Sequence, residues 1–228
     1  MAVNTENYNS IIAELKDKAT LVAVSKTKPV EDILALYALG QRHFGENYVQ
    51  ELLSKQPVLP GDIKWHFIGH LQSNKVKMIA PLVHLIHGVD SIKLLLEIDR
   101  QAKKLQKTIA VLLQVHIARE ETKFGMDEDE LAALLQTGTE LEAMKNICVS
   151  GLMGMASFTT DQALVQQEFS YLASLYNKFS AVATNRQLPN LQFKYLSMGM
   201  SGDYKMAVGT GSNMVRIGSL LFGEREKK

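Results

Sequence analysis

Eight short apolar runs rich in β-branched residues recur along this chain, and they constrain its fold more than any other feature. They are LVAVSK from Leu21, HFGEN from His43, WHFIG from Trp65, LIHGVD from Leu85, IAVLLQVHI from Ile109, VSGLMGMAS from Val149, YLSMG from Tyr195 and MVRIGS from Met214. Runs that are apolar on both faces read as strands of a parallel sheet covered on both sides. The intervening segments carry helical signals. Tyr8, Ile11, Ile12 and Leu15 form one stripe before the first run. Pro29 with Glu31 and Asp32 suits a helix entry, where the dipole favours carboxylates. Ile92, Leu95, Leu96, Ala102 and Leu105 mark a further amphipathic helix. Val165, Phe169, Leu172, Leu175, Phe179 and Val182 mark another, behind the polar Thr159-Thr160-Asp161. Asp127 with Glu130 resembles a helix entry ahead of Leu131, Leu134 and Leu135.

Strands alternating with helices predict the α/β class, and eight of them predict a single (β/α)8 barrel over residues 1–228. The 228 residues fall within the range of about 200 to more than 400 that one such barrel spans. The chain ends soon after the last run, so an eighth outer helix is missing; the extra helix before the first strand is expected to take its place. A doubly wound open sheet is the alternative. It would want G-x-G-x-x-G after an early strand, where Thr27-Lys28-Pro29 stands instead, and Gly209-x-Gly211 reads as a turn.

The charge balance of 25 Lys+Arg against 24 Asp+Glu offers no general attraction for nucleic acid or anionic lipid, so neither is an expected partner. A single cysteine, Cys148, excludes an internal disulfide and any multi-cysteine zinc site. Residues 1–20 lack the pattern of a secretory signal, and no run approaches the roughly 18 apolar residues of a membrane span. A cytoplasmic location is expected. His66 and His70, four apart across a strand and its turn, do not share a helical face, and no metal is expected from them.

In a barrel the C-terminal strand ends carry the active site. Val22, Val24 and Lys26 share one side of the first run, so a lysine ends an apolar face. Partial burial disfavours its ammonium form and frees an amine to attack a carbonyl; the alternative is a lysine whose charge reaches out to solvent. At the other end of the chain, Gly199, Ser201 and Gly202 follow the seventh run, and Gly218 with Ser219 follow the eighth. Loops at these two places form the usual phosphate site of the fold, although ordinary turns would use the same residues. Arg216 shares a face with Met214 and Gly218, opposite Val215 and Ile217. Pointing into a barrel, it needs an anion, a ring nitrogen or a structural carboxylate. Asn47 is either a ligand contact or the N-cap of the helix from Tyr48 onward.

Five linked motifs, spread in order over almost the whole chain, carry a resemblance. They are Ala23-Val24-Ser25-Lys26-Thr27-Lys28-Pro29; Phe44-Gly45-Glu46-Asn47-Tyr48-Val49-Gln50-Glu51; Trp65-His66-Phe67-Ile68-Gly69 with Leu71-Gln72-Ser73-Asn74-Lys75; Ser197-Met198-Gly199-Met200-Ser201; and Met214-Val215-Arg216-Ile217-Gly218. The chain thereby resembles the YggS/PROSC family, the pyridoxal 5′-phosphate (PLP) homeostasis proteins. The resemblance implies a barrel like the N-terminal domain of alanine racemase, with PLP held as an internal aldimine on Lys26. Ser201, Gly218 and Ser219 would meet the phosphate, Arg216 would face the pyridine nitrogen, and Asn47 would lie near the ring. Family members often carry Pro in place of His70 and Thr in place of Ser219. An arginine opposite the pyridine nitrogen disfavours its protonation and weakens the cofactor as an electron sink. The racemases add a β-rich domain and a tyrosine acid/base, and this chain stops at Lys228. The implied function is therefore a cytoplasmic, monomeric, non-catalytic PLP carrier whose recipients are PLP-dependent enzymes. Two alternatives stay open: a PLP-dependent racemase using Tyr48 or His66, and a cofactor-free Schiff-base lysine acting on a sugar phosphate.

Overall fold

The computed structural model describes residues 3–120, 124–137 and 139–224. Its first half alternates α1 (Thr5–Leu15), β1 (Thr20–Val24), α2 (Val30–Ala38), β2 (His43–Glu46), α3 (Val49–Lys55), β3 (Lys64–Phe67), α4 (Val76–Ile79) and β4 (Val83–Val89). The second half continues with α5 (Ile92–Lys104), β5 (Ile109–Val115), α6 (Glu128–Ala132), α7 (Glu140–Ala143), β6 (Ile147–Gly154) and α8 (Gln162–Arg186). It ends with β7 (Leu191–Ser197), α9 (Tyr204–Gly209), β8 (Met214–Ile217) and α10 (Ser219–Phe222). Each of the eight strands overlaps one of the eight apolar runs, β7 beginning four residues ahead of its own. They close in sequential order into a parallel barrel, with β8 pairing β1 so that Val22 lies opposite Arg216.

The apolar side chains of the strands divide between two cores. Phe44, Trp65, Phe67, Ile86, Val111, Val149, Val215 and Ile217 pack outward against the helices, in the large core. Val22, Leu85, Leu112, Met153 and Met214 fill the barrel interior. That split explains why the runs look continuously apolar rather than alternating. It also puts Arg216 on the inner face with Met214, as the spacing predicts.

β8 is followed by the short α10, and the extra N-terminal helix packs beside it. Asn4 caps α1 by accepting from the Asn7 N–H at 2.9 Å, and α1 lies on the short α10 through Asn4 N–H to Leu221 O and Asn7 Nδ2 to Leu220 O. Tyr8, Ile11 and Leu15 are buried there, while Ile12 is exposed, because the seam follows a narrower 8–11–15 row. α5 differs similarly: Leu94, Leu95, Ile98 and Ala102 face the core, and Leu96 and Leu105 face solvent. Pro29 stands at the N-cap of α2, Asp161 caps α8, and Asp127 with Glu130 forms a complete capping box. No described helix is long and apolar enough to cross a membrane.

Candidate functional site

A cavity of about 440 Å³ opens at the C-terminal mouth of the barrel, and Lys26, Asn47, Ser201, Arg216, Gly218 and Ser219 all line it. These six residues thus meet in one place, although they come from four separate loops and strand ends. A neighbouring hollow of about 460 Å³ between α1 and α9 shares Ser201 but reaches neither Lys26 nor Arg216.

Lys26 sits in the turn just beyond β1, partly buried. Both its neighbours are tied to one charge cluster. Ser25 donates its hydroxyl to Glu46 at 2.6 Å, and the Thr27 N–H donates to Glu51 at 2.7 Å. Lys55 Nζ joins the two carboxylates at 2.8 Å each and also donates to Ser25 O at 2.9 Å. Burial pushes the Glu46 carboxyl up, with the Lys55 charge opposing. Thr27 adopts φ +63°, a left-handed conformation that a β-branched residue takes only under local constraint. The clamp therefore fixes the direction in which Lys26 leaves the strand. Glu46 and Glu51 stand in the second motif with no role given, and Lys55 was not singled out; Glu51 and Lys55 are an i,i+4 pair of α3, and their link to Glu46 crosses from β2 to α3.

Arg216 is 4% exposed, and its partners are neutral. Nη1 donates to Ser197 O at 2.9 Å and Ser197 Oγ at 2.6 Å, and Nη2 donates to Gly154 O at 3.0 Å. No carboxylate pairs with it among the described residues, so the structural ion pair considered for it is absent. Burial lowers its pKa to about 10, which leaves it charged at neutral pH. Ser201 Oγ accepts from the Gly218 N–H at 3.3 Å and so joins the loops after β7 and β8. The first of these loops needs its glycine: Gly199 has φ +94°, and a Cβ there would lie 2.5 Å from Ala207.

Asn47 is not a helix cap. The N-cap of α3 is Tyr48, and Asn47 Oδ1 is buried without a partner. A buried, unsatisfied carbonyl oxygen at a cavity wall suits a ligand donor. His70, in the loop after β3, pairs with Asp90 at 3.1 Å and stacks on Phe124 with ring centroids 4.0 Å apart. His66 lies inside the barrel and bonds other histidines, so the two residues weighed as a metal pair do not meet. Tyr48 is 52% exposed and lines a different hollow, with His70.

The cavity offers a primary amine, a buried guanidinium, an unsatisfied amide oxygen and two hydroxyl-bearing glycine loops. That set can hold a small aromatic anion carrying a carbonyl.

Comparison with known proteins gives concordant results. The chain matches the model for the alanine racemase N-terminal domain over residues 3–226. It is 40% identical over 220 residues to the pyridoxal phosphate homeostasis protein of Synechocystis sp., covering 96% of this chain and 97% of that one. It is 39% identical over 208 residues to the protein of the same name from Schizosaccharomyces pombe, covering 90% and 84%. A solved structure of PipY from Synechococcus elongatus with PLP bound superposes with a TM-score of 0.84 at 36% identity, covering 96% of this chain and 99% of that one. Alanine racemase from Clostridium difficile shares the fold, with a TM-score of 0.74 at 17% identity over 59% of its length.

Proposed function

Because the chain belongs to the family of pyridoxal phosphate homeostasis proteins, we propose that it binds PLP in the cavity at the C-terminal mouth of its barrel, as one domain, and carries it without turning over a substrate. The observation that carries this is the convergence of Lys26, Asn47, Ser201, Arg216, Gly218 and Ser219 on one cavity of about 440 Å³. The residues present fit the group. The volume lies within the roughly 300–1,000 Å³ of small-molecule sites. Asn47 Oδ1 is an unfilled acceptor, and Arg216 brings a buried charge with no carboxylate to neutralise it.

We assign Ser201, Gly218 and Ser219 to the phosphate. The Ser201 hydroxyl holds the β8 loop against the β7 loop, and Gly218 keeps side-chain bulk away from the anion. In this assignment Arg216 would face the pyridine nitrogen, where its fixed charge would oppose a proton, and Asn47 would lie beside the ring. When bound, the group supplies an aldehyde that condenses reversibly with a primary amine, and Lys26 is the amine. The Glu46–Lys55–Glu51 clamp orients that amine.

The absence of turnover rests on the wall of the cavity. Its described residues include Lys26, Lys28 and Arg216 but no Asp, Glu, His, Tyr or Cys. Lys28 Nζ donates to Phe222 O at 2.7 Å, which ties it to α10. A general acid or base must lie within hydrogen-bond reach of the proton it moves. Neither Tyr48 nor His66 lines the cavity. We further place the protein in the cytoplasm as a monomer that hands PLP to dependent enzymes, a reducing setting that suits its single unpaired Cys148.

The test is borohydride reduction of protein incubated with PLP, followed by peptide mass analysis. Lys26 is expected to carry the reduced pyridoxyl adduct, and Lys26→Ala is expected to lose both the adduct and the bound-cofactor absorbance. Protein that stays colourless and takes up no PLP overturns the assignment. An adduct formed with a sugar phosphate in the absence of PLP would favour the aldolase-type alternative.

A further inference from the structure

The opposite, N-terminal mouth of the barrel carries a cluster that PLP binding leaves unused. His43 opens β2, His66 points into the barrel from β3, and His84 is the second residue of β4. One ring nitrogen of each lies within 4.8 Å of the other two. We propose that His43, His66 and His84 bind a divalent transition-metal ion of the Zn²⁺ class.

The spacing suits it. Tetrahedral zinc with Zn–N of about 2.0–2.1 Å sets its ligand nitrogens roughly 3.3 Å apart. His43 Nδ1 and His66 Nε2 are already 2.8 Å apart, so they open slightly to admit an ion. His84 is exposed and closes on them by turning its ring.

Behind the ligands stands an ordered second layer. His66 Nδ1 lies 2.8 Å from His87 Nε2, and His87 Nδ1 lies 3.1 Å from Ser197 Oγ, which also accepts from Arg216. If His66 Nε2 gives its lone pair to the ion, His66 Nδ1–H donates to His87 and His87 Nδ1–H donates to Ser197. Metal-bound histidines generally donate their second ring N–H in this way. Three histidines leave a fourth position for water or an external ligand, on the solvent side where His84 lies. One group opposes the ion: Lys64, exposed at the start of β3, has a charge that already bears on all three histidines.

Full-length protein with its PLP in place, dialysed against Zn²⁺ and assayed for total metal, tests the proposal. One Zn²⁺ per chain is expected, and Co²⁺ in its stead is expected to give the visible bands of a tetrahedral site. His43→Ala and His84→Ala should each weaken Zn²⁺ binding by at least about 100-fold, the upper end of what losing an outer-layer partner costs. His70→Ala should leave it unchanged, and Lys64→Gln should tighten it. His84 is exposed, so its variant should keep the fold, checked by circular dichroism and by its PLP content. No Zn²⁺ uptake, or uptake undiminished in His84→Ala, overturns the site and leaves the histidines as interior packing joined to Arg216.

Discussion

Lys26 owes its direction to a charge cluster that never touches the cavity, and the energetics of that cluster can be tested. Lys55 and Glu46 are almost wholly buried as a pair, with side chains 8% and 0% exposed. Removing one member of a buried pair costs about 3–5 kcal/mol, because the other charge is left without compensation. Lys55→Met is therefore expected to lower the unfolding free energy by about that amount near neutral pH. The loss should shrink in mild acid, where the Glu46 carboxyl, pushed up by burial, takes up a proton. Denaturant titrations at the two pH values measure both. Glu51 responds with the opposite sign. Burial pushes it up, but Lys55 and the Thr27 N–H outweigh burial and hold it below the ordinary value. A carboxyl depressed in the folded state contributes stability that is complete above its unfolded value of about 4.3 and is lost as pH falls through the folded one. Wild-type thermal midpoints should thus fall more steeply below about pH 4.3 than those of Glu51→Gln, and parallel curves would deny Glu51 this part.

At the level of elements, the strand ends are held close by missing side chains. A Cβ on Gly69, after β3, would lie 2.3 Å from Asn47 O, and one on Gly88, in β4, would lie 2.7 Å from Gly69 O. Gly151, with φ +139°, sits at the register shift between β6 and β7, where a Cβ would meet Tyr195 O. Overpacking of this kind costs about 1–3 kcal/mol. Gly69→Ala is expected to lose that much stability and, by displacing Asn47, to reduce PLP retention as well. Gly61→Ala, with nothing within 4 Å, should change neither, as calorimetry and absorbance would show. These contacts explain what the sequence could and could not disclose. The strands were legible because burial on both faces makes them apolar throughout, and the caps because Asp127, Glu130 and Asp161 bond locally. That Lys26, Ser201, Arg216, Gly218 and Ser219 lie near one mouth of the barrel was legible from their places at strand ends. Ile12, Leu96 and Leu105 were misplaced because apolar residues on the flank of a helix fit the period nearly as well as those on its seam. Asn47 beside Tyr48 has the residue type of a cap, and only the chain path one residue further shows that it is not one. The histidine triad joins three strands, so no spacing within one element reveals it; in the Lys55 cluster Glu51 and Lys55 are an i,i+4 pair of α3, and only their link to Glu46 on β2 lies beyond such spacing.

For the whole molecule, the barrel separates a cationic mouth from a histidine-lined one, while the net charge stays at +1. The proposed anion capture is therefore assigned to the cavity, where Lys26, Lys28 and Arg216 stand on the wall. The same wall argues for holding over turnover. Racemisation moves a proton off one face of an α-carbon and onto the other, so it needs a group within reach on each side. Lys26 can serve one side. Lys28 is tied to Phe222 O, and Arg216 gives both terminal nitrogens to Ser197 and Gly154 and keeps its proton near neutral pH. On the proposed assignment of Arg216 to the pyridine nitrogen, its guanidinium would oppose protonation there and so would not favour storing electrons in the ring. With a panel of amino acids in deuterated solvent, α-proton exchange by the PLP-loaded protein should run no faster than with free PLP at equal concentration. Exchange well above that rate and abolished in Lys26→Ala would mean that the cavity recruits a second acid or base, and the protein would then be an enzyme.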